Sequence, residues 1–282
     1  VNEPTSPIGL ADWLELYAIV SPDGNSSRGD LESALRVAAF TELSDSESIE
    51  RRIIEVFHEL QQRIKAAGEA YPFEMTDLEV VQLKTAWENF PAYVFCLCLS
   101  AYGVNAPAPG LFEQISCAAA RGYFDGEVIA FGFPRAELPA SFLDAVEEAC
   151  RRMGEGVSYQ HSSLDSKDDT LDLLAFKDFA DRQPSKLIMF GQCAAGQNWT
   201  NKIGELQPDV FCRQWIADFV SPAPIRSFFI PHRIPYRKWA FYARKAGILF
   251  DRCRIAYWAH QDGIDFSAHL DWVRSILAHA QS

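Results

Sequence analysis

Two short apolar runs, each carrying one polar side chain near its end, are where this sequence offers chemistry. Residues Thr170–Phe176 read Thr-Leu-Asp-Leu-Leu-Ala-Phe, and Lys186–Gln192 read Lys-Leu-Ile-Met-Phe-Gly-Gln. Both have the pattern of buried strands. A turn, Asp181-Arg-Gln-Pro-Ser185, separates them. Asp172 thus opens one strand and Gln192 ends the next, 20 positions later. Neighbouring strands would set the two side chains side by side at one sheet edge. Oxygen ligands of this kind suit a hard divalent cation. Such a cation can activate water and stabilise charge on a phosphodiester. The plainer roles are local: Asp172 capping a turn, Gln192 satisfying buried backbone groups.

The elements that must position these residues follow from periodicity. Leu111–Tyr123 reads as a helix, as does Pro139–Met153, with Phe142, Val146 and Cys150 on one face. After the two strands, helices are expected near Asn201–Leu206 and Val210–Phe219. A strand at Ile225–Ile230 precedes a helix at Tyr236–Ala246. Ile248 then leads through a short loop to an expected strand at Arg254–Trp258, and Phe266–Ala280 closes the chain as an amphipathic helix. This order implies a mixed sheet covered by helices, an α/β class.

Residues 8–105 read as mostly helical. Leu10, Trp13, Leu14 and Tyr17 share one helix face. Asp30 resembles a helix start, followed by Leu31, Leu35, Val37 and Phe40. Ser48 caps a third expected helix that runs through Ile64 and ends before Gly68. An apolar segment, Trp87–Tyr102, is expected to cross the core of this part. Breakers crowd Gly103-Val-Asn-Ala-Pro-Ala-Pro-Gly110, which places a domain boundary there: 1–105 and 106–282.

Composition narrows the functions. Hydrophobic residues make up 48% and charged residues 23%, enough for a sizeable core. Apolar stretches fall far short of the roughly 20 residues of a membrane helix. The N-terminus has neither a basic start nor an apolar signal core. The seven cysteines form no C-x-x-C pair, which argues against a zinc knuckle and fits reduced thiols. A cytoplasmic protein with no membrane partner is expected. P-loop, G-x-S-x-G, G-x-G-x-x-G and H-x-x-x-H patterns are absent.

The net charge of −12 opposes nucleic-acid binding overall, but the charge is uneven. Residues 1–105 hold 17 acidic and 7 basic side chains, and the remainder 21 and 19. Within 232–254, Arg233, Arg237, Lys238, Arg244, Lys245, Arg252 and Arg254 face only Asp251. If any segment touches phosphate it is this one, with Arg233, Arg237 and Lys238 as the first candidates. The alternative is a solvated basic face.

The chain resembles the PD-(D/E)XK nuclease superfamily, in particular its Mrr-like branch. That branch carries an acidic strand of the type G-D-G-G-I-D and a following strand with Q-x-K. Here the matching segments are Lys167-Asp-Asp-Thr-Leu-Asp172 and Gln192-Cys-Ala194. The superfamily also places a glutamate on the helix before the sheet, often after Phe, which matches Phe112-Glu113. The resemblance covers about residues 106–260 and rests on the order of short motifs. It implies a restriction-endonuclease-like mixed sheet flanked by helices, which the helical residues 1–105 read above would precede as an all-helical N-terminal domain.

The resemblance further implies Mg²⁺ or Mn²⁺ held by Glu113, Asp172 and Gln192. The family's lysine falls at Ala194, a departure. Lys202, just after the strand, can reach back and supply the missing positive charge; Lys167 is a second candidate. Asp168 and Asp169 read as loop residues, Asn198 and Trp199 as the cap and anchor of the next helix, and His232 as structural. The implied activity is metal-dependent hydrolysis of DNA in bacterial defence against phage or foreign DNA. The acidic helical part would contact a partner protein, such as an ATPase or second subunit, or form a homo-oligomer. With Ala194 in the lysine position, the alternative is a catalytically degenerate nuclease fold used as a structural or DNA-binding subunit.

Overall fold

The structure, a computed structural model, describes residues 5–37, 46–76, 78–159 and 169–280. In chain order the elements are α1 (Pro7–Val20), β1 (Asn25–Ser27), α2 (Arg28–Val37), α3 (Ser46–Ala67), β2 (Phe73–Met75), β3 (Val80–Leu83), α4 (Pro91–Tyr102), α5 (Ala108–Phe124), β4 (Glu127–Ala130), α6 (Phe142–Met153) and β5 (Val157–Ser158). They continue with β6 (Leu173–Lys177), β7 (Leu187–Cys193), α7 (Trp199–Lys202), α8 (Pro208–Trp215), β8 (Ile216–Ala217), β9 (Ile225–Phe229), α9 (Tyr236–Ala246), β10 (Ile248–Phe250), α10 (Arg252–Ala259) and α11 (Ser267–Ala280).

The chain divides into two compact units. The first comprises 1–103, 252–257 and 265–282; the second comprises 104–251 and 258–264. The division thus differs from the expected split at residue 105: most of α10 and all of α11 return to the first unit.

The first unit is not all-helical. It contains a three-stranded antiparallel sheet in the order β1-β3-β2, besides α1 to α4 and the C-terminal helices. Local chemistry sets the helix starts. Ser6 accepts the Gly9 N–H at 3.1 Å, and Pro7 occupies the first turn of α1. At α2, Asp30 accepts the Ser27 N–H and O–H at 2.8 and 2.6 Å. Helix α4 buries Ala92 through Ser100 without interruption, and α11 packs against it with Trp272 and Val273 buried.

In the second unit a five-stranded mixed sheet has the order β10-β9-β7-β6-β4. Strands β4, β6 and β7 are antiparallel neighbours; β9 and β10 run parallel to β7. Parallel pairing requires crossovers, which α7–α8 and α9 provide. Gly247, with φ +77°, makes the tight turn from α9 to β10, where a Cβ would lie 2.1 Å from the Arg226 carbonyl oxygen.

Alternation along the strands covers both faces. Leu174, Phe176, Ile188 and Phe190 meet Phe142 of α6 and Phe211 and Trp215 of α8. Phe228 and Leu249 continue that face under α9, packed with Ala194, Trp199 and Ala246. The other face receives α5, whose Tyr123 ring lies 5.2 Å from Phe250, itself stacked on Phe229 at 4.4 Å. The fold is therefore mixed α/β with a helix-flanked central sheet.

Two readings of elements need correction. Arg254–Trp258 lies in helix α10, because Arg252, Ile255, Ala256 and Ala259 are buried at helical spacing. The fifth strand is Ile248–Phe250 instead. The expected helix at 210–219 ends at Trp215, where β8 pairs with β5. Phe40 lies outside the described residues.

Candidate functional site

Strand pairing fixes the geometry of the candidate residues. Leu173 of β6 is paired with Gly191 of β7, so the next pair outward is Asp172 and Gln192. The Asp172 N–H donates to the Gly191 carbonyl at 2.9 Å. Asp172 Oδ2 then accepts the Cys193 N–H at 2.6 Å, which ties the carboxyl to the end of β7. Gln192 shares its face with Phe190 and is paired with Phe228 of β9. The site lies at the carboxyl end of β7, where the parallel part of the sheet begins. Crevices beyond the carboxyl ends of strands are where open α/β sheets bind ligands.

Glu113 arrives from the opposite face on α5. Its position relative to Asp172 can be read from Gly132. A Cβ at that glycine would lie 2.6 Å from Glu113 Oε2 and 3.4 Å from Asp172 Oδ1. The two oxygens are therefore no farther apart than those two distances laid end to end, about 6 Å. Glycine at 132 leaves the space that a side chain would take from the Glu113 carboxyl.

Gln192 is the most informative residue. It is 4% exposed. Its Nε2 donates to Glu205 Oε2 at 3.1 Å, which orients the amide, and its buried Oε1 has no hydrogen-bond partner among the described residues. A buried acceptor without a donor is uncommon and costly. An adjacent cation would satisfy it.

These side chains line a cleft of about 410 Å³, together with Thr170, Lys202 and Glu205. The structure thus brings Glu113, Asp172, Gln192 and Lys202 to one cleft. Thr170 precedes the strand in a left-handed conformation, φ +66°, and Asp169 accepts the Trp215 Nε1–H at 2.7 Å. Lys167 and Asp168 lie outside the described residues. Among the described residues no group of three or more His, Cys, Asp or Glu side chains is arranged to hold a metal. Any cation here would rest on two carboxylates and an amide oxygen.

Charge at the site is visible in its neighbours. Burial pushes the Cys193 thiol well above its usual range, and the Asp172 and Glu113 carboxylates push it further. Cys117 of α5 is pushed up to about 12, by burial first and then by Glu113. Shifts in this direction favour the protonated thiols.

Position 194 has a packing explanation. Ala194 is buried in the apolar cluster of Trp199, Ile203 and Phe228. A lysine there would carry its stem into that cluster rather than the cleft. The positive charge of the cleft comes instead from Lys202, which is exposed on its rim. Trp199 anchors α7 by packing on Tyr242 and Phe228, at centroid distances of 4.8 and 6.5 Å. Asn198 occupies the cap position but makes no side-chain capping bond.

The basic segment divides into two kinds of residue. Arg233 is buried, 6% exposed, and ion-paired with Asp251, so it is not a phosphate contact. Arg252 is fully buried in the first unit, paired with Asp12. His232 is buried, and its Nε2 donates to the Gly196 carbonyl at 3.2 Å, a structural role. Arg237 and Lys238 are exposed on α9. Glu205 was invisible to sequence reasoning, because nothing near it marks a motif; only its bond to Gln192 reveals it.

Among the described residues no helix is long and apolar enough to cross a membrane. Comparison with protein-family models, with curated proteins and with solved structures found no match to this chain.

Proposed function

We propose that the second unit is a divalent-metal-dependent phosphodiesterase acting on DNA, with a restriction-endonuclease-like core. The observation that carries this reading is the buried Gln192 Oε1 beside Asp172, which has no donor among the described residues, with the Glu113 carboxyl brought to the same cleft. This all-oxygen donor set fits Mg²⁺ or Mn²⁺ rather than a thiophilic metal. Bound there, the ion would supply Lewis acidity and lower the pKa of water.

The chain's own residues have separable tasks. Asp172 is held by the Cys193 amide through its Oδ2. Glu113 contributes the second negative charge from α5. Glu205 positions Gln192 by fixing its amide. Lys202 offers a positive charge at the mouth, where it can pair with a phosphate oxygen or hold an attacking water. The exposed cations of α9, Arg237 and Lys238, would steer the backbone. The first unit would serve as a contact for a protein partner, either a second subunit, an ATPase or another copy of this chain.

Ala194 favours one competing reading: a degenerate nuclease fold that binds DNA without cutting it. Incubating plasmid and linear DNA with the full chain and Mg²⁺ or Mn²⁺ separates the two. Cleavage by the wild type that Asp172→Ala abolishes supports the enzyme. Retention of DNA without any nicking, in either metal, supports the degenerate subunit.

A further inference from the structure

Helix α9 presents two unlike faces. Trp239, Tyr242, Ala243 and Ala246 pack on the cluster over β9 and β10. The opposite face carries Arg237, Phe241, Arg244 and Lys245, which fall within less than a third of a turn of the helical wheel. Phe241 lies in the middle of them, one turn from Arg237 and one turn from Lys245. It is 55% exposed, and Tyr236, at the first turn, is 79% exposed. Lys245 Nζ stands 4.4 Å from the Phe241 ring centroid. The helix has four cations, including Lys238, and no acidic residue. None of the four forms an ion pair among the described residues.

In a chain of net charge −12, such a face is singular in what it attracts. The cations call for a polyanion. The two exposed rings call for more than phosphate. A duplex buries its bases and offers no flat apolar surface to a ring on a helix. Unpaired bases do, and stacking on aromatic side chains between backbone-binding cations is how single strands are held without sequence preference.

We infer that the exposed face of α9, with Phe241 and Tyr236 as stacking platforms and Arg237, Lys238, Arg244 and Lys245 as phosphate contacts, binds a single strand of nucleic acid. Helix α9 is coupled to the cleft at two points, by Tyr242 against Trp199 of α7 and by His232, just ahead of it, bonded to Gly196 of the cleft wall. A strand bound on α9 would be led toward Lys202, which deepens the phosphodiesterase reading and in that respect rests on it.

The test is binding by the full chain in EDTA, so that cleavage plays no part. Fluorescence anisotropy would be recorded with a labelled 20-nucleotide DNA strand, the same strand as RNA, the corresponding duplex, and vesicles of phosphatidylserine and phosphatidylcholine. The expected result is tighter binding of a single strand than of duplex, with DNA and RNA arms identifying the preferred sugar. Phe241→Ala should weaken it by roughly 5- to 150-fold, and Phe241→Trp should preserve it. Because Phe241 is exposed, neither change disturbs the core. The double change Arg237→Glu and Lys238→Glu should flatten the slope of log affinity against log salt by roughly 1.4. Equal affinity for duplex, indifference to Phe241→Ala, or binding of vesicles but not oligonucleotides would overturn the inference. Strand binding in EDTA with no cleavage of the same strand in a parallel Mg²⁺ or Mn²⁺ incubation would instead count against the proposed function alone.

Discussion

The two units use the same residue types to opposite ends. In the first, Arg63 is fully buried, with its Nη1 2.8 Å from both Asp12 and Glu15 and its Nε 2.9 Å from Glu59. Arg252 adds a second guanidinium against Asp12 and lies 5.3 Å over the Tyr93 ring. The hydroxyls of Tyr71 and Tyr93 both donate to Glu15, at 2.6 and 2.8 Å. Asp12, Glu15 and Glu59 each touch a buried guanidinium. In the second unit, Glu113, Asp172 and Glu205 stand around an open cleft, with Lys202 on its rim and an amide oxygen that lacks a donor among the described residues. Acidic residues closed over by guanidinium groups hold a fold together. Acidic residues converging on a cleft with an unsatisfied acceptor are arranged for something that arrives from outside.

This contrast can be broken from either side. The largest effect is expected in the first unit. Arg63→Met strands Asp12, Glu15 and Glu59 without their shared cation, and should cost about 3–5 kcal/mol in denaturant unfolding. A loss below about 1 kcal/mol would place this cluster with exposed ion pairs instead. Next comes Asp172→Asn, which should lower Mg²⁺-dependent cleavage by at least about a hundredfold, while unfolding midpoints stay near wild type. A large loss of stability in this variant would make Asp172 a structural residue like Asp12.

A smaller effect sharpens the geometry. Gly132→Ala should push the Glu113 carboxyl aside and reduce cleavage roughly tenfold, with Glu113→Gln adding little on top. Additive losses would show that the two positions act separately. Acid titration probes the other cluster. Burial alone would raise the Asp12 carboxyl, but Arg252 and Arg63 outweigh it and hold it below its ordinary 3.8. A depressed carboxyl adds stability above its unfolded value and loses it as pH falls through the folded one. The stability contributed by Asp12 should therefore be lost only as pH falls below about 4, and Asp12→Asn should remove that part of the pH dependence, as followed by circular dichroism. The smallest effect belongs to Gln192→Leu. It removes an acceptor with no donor among the described residues and the single bond to Glu205, so stability should change by about 1 kcal/mol or less. Severe destabilisation would mean that the amide is already satisfied.

The site was legible where two strands and a turn fixed it. Asp172 and Gln192 end adjacent apolar runs, and antiparallel pairing then leaves little freedom in their register. Other features depend on partners distant in sequence. Strand β4, Glu127-Val-Ile-Ala, and the three strands of the first unit are three or four residues long, too short for alternation to declare them. The stretch Arg254–Trp258 carries Ile, Tyr and Trp in a strand-like run, yet burial at 252, 255, 256 and 259 makes it helical. Arg233 and Arg252 read as surface charge, because only folding reveals Asp251 and Asp12 beside them. Glu205 lay unmarked for the same reason.

The most direct measurement is a Mn²⁺ titration of the full chain by calorimetry, with Asp172→Asn and Glu205→Ala alongside. One ion per wild-type chain is expected, with binding lost in Asp172→Asn and weakened roughly 10- to 100-fold in Glu205→Ala, which frees the Gln192 amide. Absence of Mn²⁺ binding, or binding that both variants retain unchanged, would contradict a cation site built from these residues.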